Sequence, residues 1–167
     1  MAEILFKGNP VNTVGELPGV GTTAPPFSVT TAELAEVTLA EYAGRQVILN
    51  IFPSVDTGVC AMSVRRFNEL AATLPDASVL CISADLPFAL GRFCGAEGIE
   101  NVVTASTFRS AFPEEYGTRM SDGPLAGLNA RSVVVIAADG TVRYTELVPE
   151  TTQEPDYDAA IAIAAAR

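Results

Sequence analysis

Three nearly continuous apolar runs, at residues 47–52, 79–82 and 133–137, constrain the fold more than any other feature of the chain. Runs of this kind, without polar alternation, are typical of strands buried on both faces of a sheet. Amphipathic segments follow the first two runs, and the second of these segments, residues 87–94, begins with a proline that suits a first helical position. The order strand, helix, strand, helix predicts parallel strands joined by crossover helices.

The third run leads into a hairpin. An Asp139-Gly140 pair separates it from residues 142–147, and Asp-Gly between strand-like runs indicates a tight turn. Residues 155–167 then indicate a C-terminal helix, with acids at its start and a base at its end, as the helix dipole favours. A βαβ unit followed by a hairpin and a final helix predicts an α/β, thioredoxin-like fold with a central mixed sheet flanked by helices.

The N-terminal residues predict a smaller hairpin. Strand-like residues 4–7 and 11–14 flank Gly8-Asn9-Pro10, so we expect residues 1–16 to form an extension outside the main sheet of a single domain, 1–167. Residues 17–26 are rich in proline and glycine and indicate a loop. Short strands are expected near residues 27–29 and 37–39.

Composition and charge limit the function. The 167 residues are 49% hydrophobic and carry a formal net charge of -10, which argues against nucleic acid or an anionic membrane as a partner. Residues 1–10 lack the regions of a secretory signal, and no stretch approaches the roughly 20 apolar residues that span a bilayer. We therefore expect a soluble, cytoplasmic protein.

The chain has three cysteines, Cys60, Cys81 and Cys94, and no histidine. An odd number of widely spaced cysteines argues against a secreted disulfide framework. The absence of histidine excludes Cys-His and Ser-His dyads and mixed Cys/His metal sites. A thiol in this chain must therefore be activated by a helix dipole or by a cation such as arginine.

Cys60 follows the first apolar run through a turn. Pro53 cannot donate a ladder hydrogen bond and ends the strand, and residues 56–58 suit a turn and helix N-cap. Apolar residues then recur every three or four positions to Leu74, which places Cys60 in the first turn of a helix. The positive end of a helix favours the thiolate, but the position fits a small buried apolar residue equally well.

The residues around Cys60 differ from those of a disulfide exchanger, because no Cys-x-x-Cys pair is present. They form instead the pattern Pro-x-x-x-Thr-x-x-Cys, filled by Pro53, Thr57 and Cys60. The Thr57 hydroxyl can both accept from and donate to a small oxygen substrate, and Pro53 can shield the site from water.

Over nearly its whole length the chain resembles the peroxiredoxins, and within them the thiol peroxidase subfamily of atypical two-cysteine enzymes. The resemblance rests on four stretches: Asn-Thr-Val-Gly at 12–15, Asn-Ile-Phe-Pro-Ser-Val-Asp-Thr-Gly-Val-Cys at 50–60, Arg-Phe-Cys at 92–94, and Asp-Gly-Pro-Leu-Ala-Gly-Leu at 122–128 followed by Arg131.

This resemblance implies a peroxidase that acts on hydroperoxides without a cofactor. Cys60 matches the peroxidatic cysteine, Thr57 the residue that hydrogen-bonds the peroxide, and Arg131 the arginine that stabilises the thiolate. Cys94 matches the resolving cysteine, whose disulfide with Cys60 is reduced by thioredoxin. The resemblance also implies a homodimer.

Alternatives remain for each of these residues. From the residues alone, Arg131 is better explained as an exposed charge at a strand end. A permanent Cys60–Cys94 disulfide would stabilise the fold by roughly 4 kcal/mol, although a reducing cytoplasm argues against it. Cys81 is most simply a buried strand residue. Glycines at 91, 95 and 98 either let the helix of Cys94 open, which disulfide formation between separate helices requires, or end that helix.

Two other functions fit the same fold, namely a redox-responsive signalling or binding protein that uses the disulfide as a switch, and a redox-inactive scaffold. The set Pro53, Thr57, Cys60 and Arg131 favours the enzyme, because a sensor needs no substrate clamp.

Overall fold

The structure, a computed structural model, describes residues 1–166. Its strands are β1 (Glu3–Phe6), β2 (Asn9–Asn12), β3 (Ser28–Thr31), β4 (Glu36–Thr38), β5 (Gln46–Ile51), β6 (Ala77–Ser83), β7 (Val103–Ser106), β8 (Ser132–Ile136) and β9 (Val142–Leu147). Its α-helices are α1 (Gly58–Ala71), α2 (Pro87–Glu97), α3 (Phe112–Glu115) and α4 (Tyr157–Ala165), and a 3-10 helix spans Leu39–Tyr42.

The central sheet has seven strands in the order β4-β3-β7-β6-β5-β8-β9. The neighbours β5, β6 and β7 run parallel, whereas β8 is antiparallel to β5 and β9 is antiparallel to β8. The three apolar runs form β5, β6 and β8, so the predicted mixed sheet with crossover helices is confirmed. Burial of both faces explains their apolar composition.

Alternation along β5 divides the core into two layers. Ile48 and Phe52 face a cluster that includes side chains of α1, α2 and α4. Val47 and Leu49 face the opposite cluster, which is covered by α3 and the loop before β3. Cys60 and Cys81 both belong to the first cluster.

The N-terminal hairpin forms its own two-stranded sheet, as predicted. Its turn has positive φ at Lys7 (51°) and Gly8 (80°), the conformation that a two-residue turn needs to match the twist of its strands. Ile4 and Val11 pack against Met120 and Ala130, so the hairpin covers the chain segment that precedes β8.

The structure differs from the sequence expectations in the helix ends. Helix α1 ends at Ala71 rather than near Leu74. Helix α2 extends to Glu97 and ends at Gly98 in the left-handed conformation (φ 65°), so one of the three glycines ends the helix and two lie inside it. Arg167, the predicted basic end of α4, lies outside the described residues. Within residues 1–166 no helix is long and apolar enough to cross a membrane.

Candidate active site

Cys60 lies in the first turn of α1, as its sequence predicts. Thr57 is the N-cap residue, and its Oγ1 accepts a hydrogen bond from the Cys60 N–H at 3.4 Å. The Thr57 hydroxyl donates to the Ser54 carbonyl at 3.2 Å, so the hydroxyl joins the turn to the helix. The Cys60 side chain is completely buried, whereas Thr57 is exposed. Cys60 is thus buried three residues after an exposed N-cap residue.

Arg131 brings a cation to this thiol. It immediately precedes β8, whose Ser132 pairs with Ile51 at the end of β5, so Arg131 lies beside the turn that begins α1. Its Nη2 donates to the Cys60 Sγ at 3.1 Å, and its Nε donates to the Thr151 carbonyl at 3.0 Å. The residue is only 2% exposed, so the expectation of an exposed charge at a strand end, drawn from the residues alone, is wrong.

The burial of Arg131 has a chemical consequence. A guanidinium taken out of water needs a compensating anion or hydrogen bonds, and a cation next to a thiol favours the thiolate. Within residues 1–166 the Arg131 Nη1 has no hydrogen-bond partner, although it is buried. The site therefore combines a sulfur held by one N–H donor with a second, buried N–H donor that has no partner within residues 1–166.

Asp85 fixes the turn that precedes α1, and sequence reasoning missed it. Its carboxylate accepts hydrogen bonds from the Ser54 hydroxyl at 2.6 Å, the Val55 N–H at 2.9 Å and the Ser83 hydroxyl at 2.6 Å. Pro53 is buried just before this network. Asp85 follows β6 at the edge where the parallel strands β5 and β6 both end, which is the signal that would have identified it.

Cys94 lies elsewhere on the same face of the sheet. It is a half-buried residue of α2, and its Sγ lies 3.3 Å from the Thr104 Oγ1 of β7. Strands β6 and β5 separate β7 from β8, next to which Cys60 meets Arg131. All three cysteines are free thiols. The structure thus brings together Cys60, Thr57 and Arg131, and leaves Cys94 on a separate helix.

Two ion pairs hold the helices of Cys60 and Cys94 together. Arg65 of α1 and Glu97 of α2 form a bidentate pair, with N–O distances of 2.8 and 3.0 Å. Arg92 of α2 lies 3.4 Å from Asp56 in the turn before α1.

Cys81 is buried in β6, as its apolar neighbours in sequence predict. Burial raises the pKa of its thiol to about 12, even though a hydrogen bond from Asn50 acts in the opposite direction. The Asn50 Nδ2 donates to the Cys81 Sγ at 3.6 Å and to the Ser63 Oγ at 3.2 Å. Ser63 in turn donates to the Cys60 carbonyl at 2.8 Å. This buried polar chain was also missed, because a single asparagine in an apolar run does not reveal its partners.

Among residues 1–166, no group of three or more cysteine, aspartate or glutamate side chains is arranged to hold a metal ion.

Comparisons with known proteins agree on one family. A family model described as Redoxin matches residues 19–161. The chain is 60% identical over 162 residues to a thiol peroxidase of Mycobacterium tuberculosis, covering 97% of this chain and 98% of that protein. It is 58% identical, with the same coverage, to a thiol peroxidase of Corynebacterium glutamicum. A crystal structure of a peroxiredoxin-like protein from Aquifex aeolicus matches it with a TM-score of 0.94 at 39% identity, covering 99% of this chain and 96% of that one.

The chain therefore belongs to the Redoxin family, in agreement with its thioredoxin-like sheet and its thiol at a helix start. Within that family it belongs to the thiol peroxidase subfamily of the peroxiredoxins, and it is a peroxidase of the peroxiredoxin type.

Proposed function

We propose that this peroxidase reduces hydrogen peroxide and organic hydroperoxides at Cys60, that Cys94 resolves the oxidised product, and that thioredoxin recycles the resulting disulfide. The observation that carries the proposal is the contact between the Arg131 Nη2 and the Cys60 Sγ at 3.1 Å, in a guanidinium whose buried Nη1 has no partner within residues 1–166.

In the first step the Cys60 thiolate attacks the terminal peroxide oxygen. An S–O bond forms as the O–O bond breaks, so the sulfur is oxidised to a sulfenic acid and the peroxide is reduced to an alkoxide or hydroxide, which leaves as alcohol or water after protonation. Arg131 stabilises the charge that develops on the oxygens, as donors do in an oxyanion hole. The Thr57 hydroxyl turns from the Ser54 carbonyl to hydrogen-bond the peroxide, and Pro53 shields the sulfur from water.

In the second step the Cys94 thiolate attacks the Cys60 sulfur. An S–S bond forms, the S–O bond breaks, and the oxygen leaves as hydroxide, which becomes water with the proton that the Cys94 thiol released. A dithiol of thioredoxin then supplies two electrons and two protons to regenerate both thiols. Because Cys60 is fully buried and the two cysteines lie on separate helices, the start of α1 or the end of α2 must open before the sulfurs meet. Gly91 and Gly95 inside α2 lower the cost of such opening.

Substitution of each cysteine tests the proposal. We expect Cys60→Ser to abolish peroxide consumption, whereas Cys81→Ala keeps turnover with thioredoxin and serves as the control. Cys94→Ser should consume one equivalent of peroxide to form the sulfenic acid, fail to recycle, and accumulate sulfinic acid on Cys60 as a second equivalent reacts slowly. Peroxide consumption and mass spectrometry of the Cys60 peptide measure these outcomes. Full turnover by Cys60→Ser would refute the assignment, and unimpaired cycling by Cys94→Ser would remove Cys94 from its role.

A redox switch is the second candidate function. Formation of the Cys60–Cys94 disulfide would rearrange α1 and α2 and so change the protein surface on which the Arg65–Glu97 and Arg92–Asp56 ion pairs lie. A sensor oxidises once for each signal, whereas the proposed enzyme consumes many equivalents of peroxide per chain. We propose further that the chain forms a single domain and that the protein resides in the cytoplasm, where thioredoxin is available. We also propose a homodimer, and analytical ultracentrifugation tests that oligomeric state directly.

A further inference from the structure

The guanidinium of Arg131 donates a hydrogen bond to a backbone carbonyl, and the peptide unit of that carbonyl is itself fixed by a second hydrogen bond. The Arg131 Nε donates to the Thr151 carbonyl at 3.0 Å. In the same peptide unit, the Thr152 N–H donates to the Glu150 Oε1 at 3.2 Å. Because a peptide unit is planar, fixing its N–H also fixes the direction of its carbonyl. The Glu150 carboxylate thus orients the acceptor that orients Arg131.

Glu150 is in turn held by the N-terminal hairpin. The N–H groups of Lys7 and Gly8 at the hairpin turn donate to its two carboxylate oxygens, each at 3.0 Å. Leu5 of β1 adds one backbone hydrogen bond on each side of Glu150. Its N–H donates to the Pro149 carbonyl at 2.7 Å, and its carbonyl accepts from the Thr151 N–H at 2.8 Å. The hydrogen bond from Gly8, followed by those from Thr152 and Lys7, lowers the pKa of Glu150, which keeps it ionised at neutral pH. An ionised carboxylate is a stronger acceptor than a neutral group.

We infer that Glu150, anchored by the N-terminal hairpin, is a positioning residue for the peroxidase reaction, acting through the 151–152 peptide and Arg131 on the Cys60 sulfur. The inference rests on the proposed role of Arg131. A path of hydrogen bonds runs from Glu150 to the Thr152 N–H, from the Thr151 carbonyl to the Arg131 Nε, and from the Arg131 Nη2 to the sulfur. Polarisation along such a path strengthens each bond in it.

The direction in which loss of Glu150 changes the reactivity of Cys60 distinguishes a positioning role from a simple electrostatic effect of the carboxylate. Removal of a carboxylate near the site would, by Coulomb's law alone, favour the thiolate. Loss of a positioning residue instead weakens the contact between Arg131 and the sulfur and disfavours the thiolate. The two explanations predict opposite shifts in the pH at which Cys60 becomes reactive.

Glu150→Ala is the direct test in the full-length chain. We expect the pH of half-maximal alkylation of Cys60, followed by mass spectrometry of its peptide, to move up by about half a unit to one unit. The peroxide reaction at neutral pH should slow by about three- to tenfold, as the loss of one charge-assisted hydrogen bond predicts. Glu150→Gln keeps an oxygen acceptor and should show a smaller shift in the same direction.

Asp122→Ala is the matched control. The Asp122 carboxylate also anchors the hairpin with two hydrogen bonds, from the Asn12 N–H and Nδ2 at 2.8 Å each, but it does not touch the 149–152 segment. We expect this variant to leave Cys60 alkylation unshifted, even where it lowers the unfolding midpoint.

An unchanged or lowered alkylation pH in Glu150→Ala would overturn the inference. If that variant does not fold, Glu150→Gln decides, since an upward shift supports the inference and no shift overturns it. Arg131→Met distinguishes the positioning role of Glu150 from the proposed role of Arg131. An impaired Arg131→Met with a normal Glu150→Ala refutes only the positioning role, whereas normal peroxide reduction in both refutes the proposed role of Arg131.

Discussion

Cys60 and Cys81 are both completely buried in the same apolar cluster, yet their sulfurs contact different groups. Cys81 lies in the middle of a strand, where its polar contact is an amide N–H at 3.6 Å and burial raises the pKa of the thiol to about 12. Cys60 lies at a helix start, 3.1 Å from a guanidinium. Burial alone therefore keeps a thiol protonated, and a fixed cation and helix terminus are needed to make a buried thiol a nucleophile.

Arg131→Met should have the largest effect, because it gives Cys60 an environment like that of Cys81. We expect the second-order rate of Cys60 oxidation by hydrogen peroxide to fall by about a hundredfold or more, the usual cost of removing a donor that stabilises developing charge. The free energy of unfolding should change little, because removal of a buried guanidinium whose Nη1 lacks a partner in residues 1–166 offsets loss of the hydrogen bond to the Thr151 carbonyl. Stopped-flow oxidation and urea unfolding measure the two quantities.

Arg45→Met is the control for this prediction, since Arg45 is an exposed arginine that bonds Ser78 and the Pro75 carbonyl, away from the site. A wild-type oxidation rate in Arg131→Met would break the comparison, because the helix start alone would then account for the reactivity of Cys60.

Cys81→Ala tests the other half of the comparison through the pH dependence of stability. The folded-state pKa of about 12 lies above the ordinary value of 9.0 for a cysteine thiol. Between about pH 9 and 12 the thiol therefore ionises in the unfolded chain but stays protonated in the folded one. The contribution of Cys81 to the free energy of unfolding is fully present below about pH 9 and falls by up to about 1.4 kcal/mol per pH unit as the pH rises towards 12. We expect the free energy of unfolding of the parent to fall more steeply than that of Cys81→Ala over this window.

Urea unfolding under reducing conditions measures both slopes. The substitution also costs about 1 kcal/mol or more at every pH, because it removes a buried sulfur, so only the difference in slope is diagnostic. Parallel slopes would show that burial does not hold the proton on Cys81.

The sequence predicts the elements whose signal is local. The apolar runs of β5, β6 and β8, the turn from Pro53 to Thr57 and the Asp139-Gly140 hairpin are all short-range patterns, and the structure contains each of them. It did not predict β7, because Val103–Ser106 is short and half polar and becomes a strand only by pairing with β6 and β3. The end of α1 was misplaced because Leu74 is buried without being helical, and Pro75 disfavours helix at the residue before it.

Contacts made by backbone atoms were beyond the sequence. Thr151 holds Arg131 through its carbonyl, which every residue possesses, so no residue type marks the position. Arg131 itself was identified through its resemblance to a family motif, because a strand-end arginine is normally exposed. The groups that hold that arginine are distant in sequence, since the Val148 N–H donates to its carbonyl and the Thr151 carbonyl accepts from its Nε.

Ser63→Ala should have the smallest effect on the rate of Cys60 oxidation. It tests whether the reactivity of Cys60 is independent of the polar contacts of Cys81. Ser63 connects the Asn50 amide, which contacts Cys81, to the carbonyl of Cys60. The link reaches the backbone of Cys60 and neither its sulfur nor Arg131, and that carbonyl still accepts the helical hydrogen bond expected four residues on. We therefore expect the rate of Cys60 oxidation to change by less than about twofold, while the free energy of unfolding falls by about 2 kcal/mol as two buried hydrogen bonds are lost.

The same stopped-flow and urea measurements apply, with Ser78→Ala, which loses an exposed hydrogen bond to Arg45, as the control. A tenfold slower oxidation in Ser63→Ala would mean that the Asn50 amide transmits strain from the strand of Cys81 to the first turn of α1. The two cysteines would then share one polar network, and the reactivity of Cys60 would depend on β6 as well as on Arg131.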